Sequence, residues 1–280
     1  MTTNIKGQLM DFSVPKVMGI LNITPDSFYK ESRKQTEKDI SGRVLQIVSE
    51  GADIIDVGGY SSRPGAMFVS EEEEMQRLRF GLEILLREAP DAIVSVDTFR
   101  ADVAKECVEK YGVAIINDIS AGTLDDNMFD TVADLHVPYV IMHIQGSPQT
   151  MMQYTQYDNL MKDIFLYFAE KINRLHLKGV NDIWVDPGFG FSKTTSQNYE
   201  VLSNLEQFNI FEAPVLVGLS RKTMIREIID VQAEEALNGT TALNMFALTQ
   251  GANVLRVHDV KETVQAVKLF YTIKKMKYDV

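Results

Sequence analysis

Ala92-Ile-Val-Ser-Val-Asp-Thr98 and Val113-Ala-Ile-Ile-Asn-Asp-Ile119 are short apolar runs, parted by a segment of helical periodicity that carries Cys107. Each run is apolar at nearly every position until its polar end. That is the pattern of a strand covered on both faces. The same unit recurs in both directions along the chain. Val17–Thr24, Asp53–Gly59, Pro138–Ile144, Asp182–Gly188, Pro214–Ser220 and Asn253–Asp259 have the same character, which makes eight strands.

The segments between them read as amphipathic helices. Ile40, Val44, Ile47 and Val48 fall on one helical face. Ser70 and Glu73 stand at capping-box spacing ahead of a stripe of Met75, Leu78, Leu82, Leu85 and Leu86. The acidic run Glu71–Glu74 reads as a solvated first turn that complements the helix dipole. A long helix is predicted over Asp158–Leu177, and a last one from Lys261 to about Lys275. Strand then helix, repeated eight times, fits either a closed (β/α)8 TIM barrel or an open doubly wound sheet. The count of eight, the uniform composition and the lack of an internal linker favour one α/β barrel domain over residues 1–280.

Composition bounds the function. The chain has 280 residues, 45% apolar and 24% charged, an ordinary globular profile. Lys plus Arg total 28 against 39 Asp plus Glu, a net charge of -11, which argues against sequence-independent binding to nucleic acid or anionic membrane. One cysteine allows no internal disulfide, and Cys107 reads as a buried structural thiol; a reducing, cytoplasmic setting is expected. Met1–Phe12 has no signal-peptide pattern, and no apolar run approaches the ~20 residues of a membrane span.

In a barrel, chemistry gathers where the strands end. Nearly every expected strand end here is polar: Asn22, then Gly58 to Gly65, Asp97, Asn117 with Asp118, Met142-His143, Asp186 to Phe191, Ser220-Arg221-Lys222 and Arg256 to Asp259. Each has a bland alternative. Asp97 or Asp186 alone is a candidate N-cap, Asn22 a turn former, Arg256 a partner for a nearby acid. His143 reads as a satisfied core histidine, and Met142 and Phe191 as plain core. Together they are harder to explain, because a buried unpaired polar group costs about 1–3 kcal/mol. Asp97, Asn117 and Asp186 suit a flat heterocycle with an amidine-like edge. Lys222 suits its ring carbonyl, and the Arg256 guanidinium can stack on it. Arg63, Arg256 and His258 suit phosphate oxygens, as does a helix N-terminus expected at Ser220. Asn22 is a neutral oxygen donor that suits Mg2+. From the residues alone, this is a barrel enzyme or binder for a planar, phosphate-bearing N-heterocycle.

Those residues make the chain resemble dihydropteroate synthase from about Val17 to Lys275. The resemblance is carried by Asn22-Ile-Thr-Pro-Asp-Ser-Phe28, Gly58-Gly-Tyr-Ser-Ser-Arg-Pro-Gly65, Ser95-Val-Asp-Thr98, Ile116-Asn-Asp118, Met142-His143 with Gly146, Asp186-Pro-Gly-Phe-Gly-Phe191, Ser220-Arg-Lys222 and Arg256-Val-His-Asp259. It implies the joining of 6-hydroxymethyl-7,8-dihydropterin pyrophosphate to p-aminobenzoate in folate biosynthesis, with Mg2+ and a homodimeric assembly. It implies that Asp97, Asn117, Asp186 and Lys222 hold the pterin, with Met142, Phe191 and Arg256 at its pocket. Asn22 would hold the metal, and Arg63, Arg256 and His258 the pyrophosphate. Ser62, Pro64 and Ser220 would lie near p-aminobenzoate. Asp97, Lys222, Arg256 and His258 are the expected catalytic set, and the loops after Asn22 and Gly59 are expected to close over the second substrate. The chain departs from the family in Tyr60, where Glu is usual, in Ser62, where Thr is usual, and in Tyr29-Lys-Glu-Ser32. A non-catalytic pterin-binding paralogue and a pterin-dependent methyltransferase share such a pocket; the Ser-Arg-Lys and Arg-Val-His-Asp stretches favour the synthase.

Overall fold

The computed structural model describes residues 1–23, 33–61 and 68–278. Each expected strand run contains a strand: β3 (Lys16–Asn22), β4 (Ile54–Gly58), β5 (Ile93–Asp97), β6 (Ile115–Asp118), β7 (Tyr139–Met142), β8 (Ile183–Asp186), β9 (Leu216–Val217) and β10 (Val254–Val257). They form one parallel sheet in the order β8-β7-β6-β5-β4-β3-β10-β9. Its two ends meet where Val185 bridges Val215 and the Val185 N–H donates to the Pro214 carbonyl at 2.9 Å. The sheet is therefore closed, and the open doubly wound alternative is excluded.

A hairpin that the sequence reading did not foresee precedes the barrel. Thr2–Ile5 (β1) and Gln8–Asp11 (β2) pair antiparallel around Lys6-Gly7. Both turn residues have positive φ, 50° and 83°, as a two-residue hairpin with the strands' own twist requires. The hairpin covers the N-terminal end of the barrel. Its Ile5 and the following Phe12 pack with Met18, Ile54, Ile115 and Trp184 inside that end. Phe12 meets Trp184 edge-on at 5.4 Å, and the buried Trp184 indole donates to Thr3 Oγ1 at 2.9 Å.

The period-2 alternation of strands then sorts the chemistry. Leu21, Val57, Val96, Ile116, Val185 and Leu255 point outward into the main core beneath the helices. The other parity points into the barrel. Met18, Ile54, Ile115, Val140, Trp184, Leu216 and Val254 fill its lower layer with apolar bulk. Two residues further along those strands the same parity gives Asp56, Asn117, Met142, Asp186 and Arg256. Barrel closure thus gathers polar side chains from separate strands at one mouth.

The helices are α1 (Arg33–Ser49), α2 (Glu71–Glu88), α3 (Ala101–Tyr111), α4 (Met128–Leu135), α5 (Leu160–Leu177), α6 (Thr195–Ser203), α7 (Thr223–Ile229), α8 (Leu237–Thr249) and α9 (Val260–Tyr278). Three expectations need correction. On α1, Ile40, Val44 and Ile47 are buried, but Val48 is 46% exposed, since it lies at the edge of the stripe. On α2, Ser70 caps the Glu73 N–H, and Glu71, Glu72 and Glu73 are exposed as expected. Glu74 is not: it is fully buried and ion-paired with Arg100. No helix begins at Ser220. A turn with Arg221 at φ 58° intervenes, and α7 starts at Thr223 with Lys222 as its cap residue. Cys107 is free and buried, as read, and burial raises its thiol pKa.

Candidate active site

Four strands carry the centre of the site in a continuous row. In register, Asn22 lies beside Gly58, Gly58 beside Asp97, and Asp97 beside Asn117. Gly58 keeps this row open; a Cβ there would stand 3.6 Å from Asn22 Oδ1 and 3.8 Å from Asp97 Cβ.

Arg256, on the neighbouring strand β10, bridges two acids. Its Nε donates to Asp56 Oδ2 at 2.6 Å and its Nη2 to Asp97 Oδ2 at 2.7 Å. Asp56 Oδ2 also accepts from Asn117 Nδ2 at 3.2 Å. Asp56 was not singled out in the sequence, yet it is fully buried at the hub of this network. Its signal was present: a carboxylate inside Ile54-Ile-Asp-Val-Gly58, at the inward parity shared with Gly58, must have a partner. Asp56 Oδ1 and the neighbouring Ser95 Oγ have no hydrogen-bond partner among the described residues.

Burial drives the ionisation of this cluster. It raises the Asp97 carboxyl to about 7, against the pull of Arg256 and with the push of Asp56. The Arg256 pKa is raised as well: burial opposes its charge, but the Asp56 and Asp97 carboxylates outweigh burial and hold it charged. Two acids around one guanidinium leave the set sensitive to one more ligand.

The second half of the mouth is built by the loops after β8 and β9. Asp186 pairs in register with Met142, and its Oδ1 accepts from Gly188 N–H at 2.8 Å. Gly188 has φ 72°, and any Cβ there would run into the His143 carbonyl, so the turn requires glycine. Lys222 donates to the Phe189 carbonyl and stands 4.8 Å from the centre of the Phe191 ring. A Cβ at Gly218 would stand 4.0 Å from both Lys222 Nζ and Arg256 Cβ. Burial pulls the Lys222 ammonium down to about 8, opposed by the Asp186 carboxylate. Burial also raises Asp186, against Lys222, the Gly188 N–H and Arg256. Asp97, Asn117, Asp186, Lys222 and Arg256 therefore line one region. Met142, Phe191, Phe99 and Met151 cluster as its apolar wall.

Lys193 is a second residue the sequence reading missed. It is buried, and its ammonium meets His143 Nδ1 at 3.0 Å, Gly188 O at 3.0 Å and Phe191 O at 3.1 Å. It staples the Asp186–Phe191 turn to β7, which makes His143 the satisfied core histidine expected.

Ser220 and His258 form the last corner. Ser220 Oγ accepts from His258 N–H at 3.2 Å and lies 3.1 Å from its Nδ1. Arg221 and Asp259, the neighbours in these two stretches, are tied to each other by Nε–Oδ2 and Nη2–Oδ1 contacts of 2.9 and 2.7 Å. They fix the corner rather than face the mouth. Ser62, Arg63 and Pro64, the Tyr29–Ser32 stretch and the loop closure expected there lie outside the described residues.

Asn22 is exposed at the end of β3. No group of three or more His, Cys, Asp or Glu fit to hold a metal occurs among the described residues. One exposed amide oxygen fits a hard cation that draws its remaining oxygens from phosphate and water, as Mg2+ does.

Known proteins carry the same pattern. Residues 18–258 match the family described as pterin binding enzyme. The chain is 41% identical over 266 residues to a dihydropteroate synthase of Escherichia coli (strain K12), covering 94% of this chain and 93% of that one. Its fold matches a crystal structure of the Yersinia pestis dihydropteroate synthase with a sulfonamide drug complex, with TM-score 0.90, 38% identity and coverage of 99% and 100% of the two chains. It matches a Xanthomonas albilineans dihydropteroate synthase with 4-aminobenzoic acid with TM-score 0.88 and 35% identity, over 98% of each chain.

Proposed function

The chain belongs to the dihydropteroate synthase family of pterin-binding enzymes, and on that premise we propose how its residues divide the reaction. It is a transferase of folate synthesis that joins a dihydropterin to p-aminobenzoate. A C–N bond forms at the pterin methylene as the C–O bond to pyrophosphate breaks, and the amine gives up a proton.

The observation that carries the assignment is the convergence of Asp97, Asn117, Asp186, Lys222 and Arg256 on one barrel mouth. Asn117 and Asp186 take the amidine edge of the pterin, and Lys222 donates to its carbonyl. Met142 and Phe191 pack on the ring faces. Asp97 holds negative charge next to the methylene, where positive charge grows as the leaving group departs. Arg256, already fixed by Asp56 and Asp97, His258 and Arg63 take the pyrophosphate. Ser220, Ser62 and Pro64 receive p-aminobenzoate. Mg2+ held at Asn22 would neutralise charge on the departing pyrophosphate.

The assembly we propose is a homodimer. Ile228, Phe246, Leu269, Ile273 and Met276 are exposed on α7, α8 and α9, neighbouring helices, and so much apolar surface in one area favours a partner surface. No helix among the described residues is long and apolar enough to cross a membrane. A cytoplasmic setting is part of the same proposal and rests on the single buried thiol of Cys107.

The test is pyrophosphate release from the pterin ester with and without p-aminobenzoate, and with and without Mg2+. Release that needs both supports the reading. Pterin binding with no release under any condition would favour the non-catalytic paralogue.

A further inference from the structure

Asp56 and Asn117 stand on β4 and β6, with β5 between them. In register, Asp56 lies beside Ser95 on β5, and Asp97, two residues on, lies beside Asn117. Ser95 is small enough for the two side chains to meet across β5, and Asn117 Nδ2 donates to Asp56 Oδ2 at 3.2 Å. Both residues are buried. The same Asp56 oxygen accepts from Arg256 Nε at 2.6 Å.

An asparagine amide has an acceptor at one end and donors at the other, and its surroundings decide which end faces where. A carboxylate oxygen only accepts. Turned over, the Asn117 amide would set its own oxygen against Asp56 Oδ2, two acceptors in contact where no water intervenes. Asp56 cannot easily swing aside, because Arg256 holds it and is itself tied to Asp97 through Nη2 at 2.7 Å. Asn117 is therefore held with Nδ2 toward Asp56, and Oδ1 is the end left to a ligand. Asp186, assigned above to the same edge of the heterocycle, likewise offers carboxylate oxygens. Its Oδ1 is fixed by the Gly188 N–H at 2.8 Å. Two enforced acceptors then meet that edge.

We infer that Asp56 is a specificity-determining positioning residue. By fixing the Asn117 amide, it makes the pocket demand N–H donors along the edge of the heterocycle and reject a carbonyl in their place. The inference deepens the synthase reading above and rests on it. Asp56 touches no reacting atom in that reading; it acts through Asn117. Its effect should show in which heterocycle binds, beyond how tightly one binds. The 2-amino group of a pterin suits this edge. The 2-oxo group of the corresponding lumazine does not, because it sets an oxygen against two others.

The test is calorimetric titration with 6-hydroxymethylpterin and with its 2-oxo analogue, 6-hydroxymethyllumazine. The parent should prefer the pterin by about 100-fold or more, since a site built for a donor leaves its own groups unpaired against an acceptor. Asp56→Ala removes the group that fixes the amide, so Asn117 can turn Nδ2 to the lumazine carbonyl. The preference should fall about tenfold, with Asp186 keeping the remainder. Asp56→Ser, whose hydroxyl donates as well as accepts, keeps a polar partner for Arg256 and should give the same fall even where the alanine variant does not fold. Asp56→Asn, whose single oxygen can still take both donors, should retain the parent's preference. A folded alanine or serine variant that weakens both heterocycles by the same factor has lost packing and not selectivity, and overturns the inference. So does a parent that binds both heterocycles alike. In either case the synthase reading stands so long as the parent releases pyrophosphate in response to p-aminobenzoate. If it releases none, that reading fails and takes the role of Asp56 with it.

Discussion

The two ends of the barrel are made from the same strands at the same parity, and they are opposites. At the N-terminal end, inward positions carry Met18, Ile54, Val140 and Trp184, closed by a hairpin that fills the remaining space. The Trp184 indole N–H there is matched by Thr3. Two residues further along, inward positions carry Asp56, Asn117, Asp186 and Arg256, and their hydrogen-bonding and charge balance is only partly met within the chain. The lower end is packed for stability. The upper end holds groups that their neighbours fix in place but only partly satisfy, so a ligand meets them with partners still to make.

That contrast predicts a clean separation of effects. Lys222→Ala and Asp186→Ala should abolish p-aminobenzoate-dependent pyrophosphate release, a loss beyond ~10³-fold, while the melting temperature stays within a few degrees of the parent. Near-parent turnover in either would remove it from the site. Trp184→Ala at the other end should do the reverse. It should cost about 3–5 kcal/mol in denaturant unfolding, and the protein that remains folded should keep both Michaelis constants. A changed Michaelis constant would mean that the two ends are coupled.

A smaller effect separates the acid from the base at the mouth. In the proposed roles, Asp97 acts ionised and Lys222 acts protonated. Raised by burial, Asp97 loses its charge as pH falls through about 7. Lowered by burial, Lys222 loses its charge as pH rises through about 8. The free enzyme's kcat/KM should therefore be bell-shaped with its maximum between those values, falling roughly tenfold per pH unit beyond each limb. A profile flat from pH 6 to 9 would contradict both assignments. The smallest effect belongs to the quiet end: Thr3→Val should cost about 1 kcal/mol of stability by leaving the Trp184 N–H unpaired, with no change in turnover.

Much of this was legible in the sequence because barrel strands announce themselves by runs such as Ile93-Val-Ser-Val-Asp97, and their ends by the residues that packing would not choose. Asp97, Asn117, Asp186, Lys222 and Arg256 were found that way. What escaped was whatever depends on a partner distant in sequence. Asp56 looked like part of an apolar strand until Arg256, 200 residues on, was placed beside it. Glu74 looked like three solvated neighbours until Arg100 came over it. Lys193 sits past the motif it serves, and only the turn at Gly188 brings it back to His143. The hairpin was missed because its two strands are only four residues each. Its reason for existing is the open barrel end, which no local pattern reveals.

Calorimetric titration of 6-hydroxymethyl-7,8-dihydropterin into the parent and into Asp97→Ala, Asn117→Ala, Asp186→Ala and Lys222→Ala bears most directly on the single shared mouth. One site in the parent, weakened at least about tenfold by each folded variant, is the predicted result. Two or more variants that bind with the parent's affinity would show that these side chains do not surround one ligand.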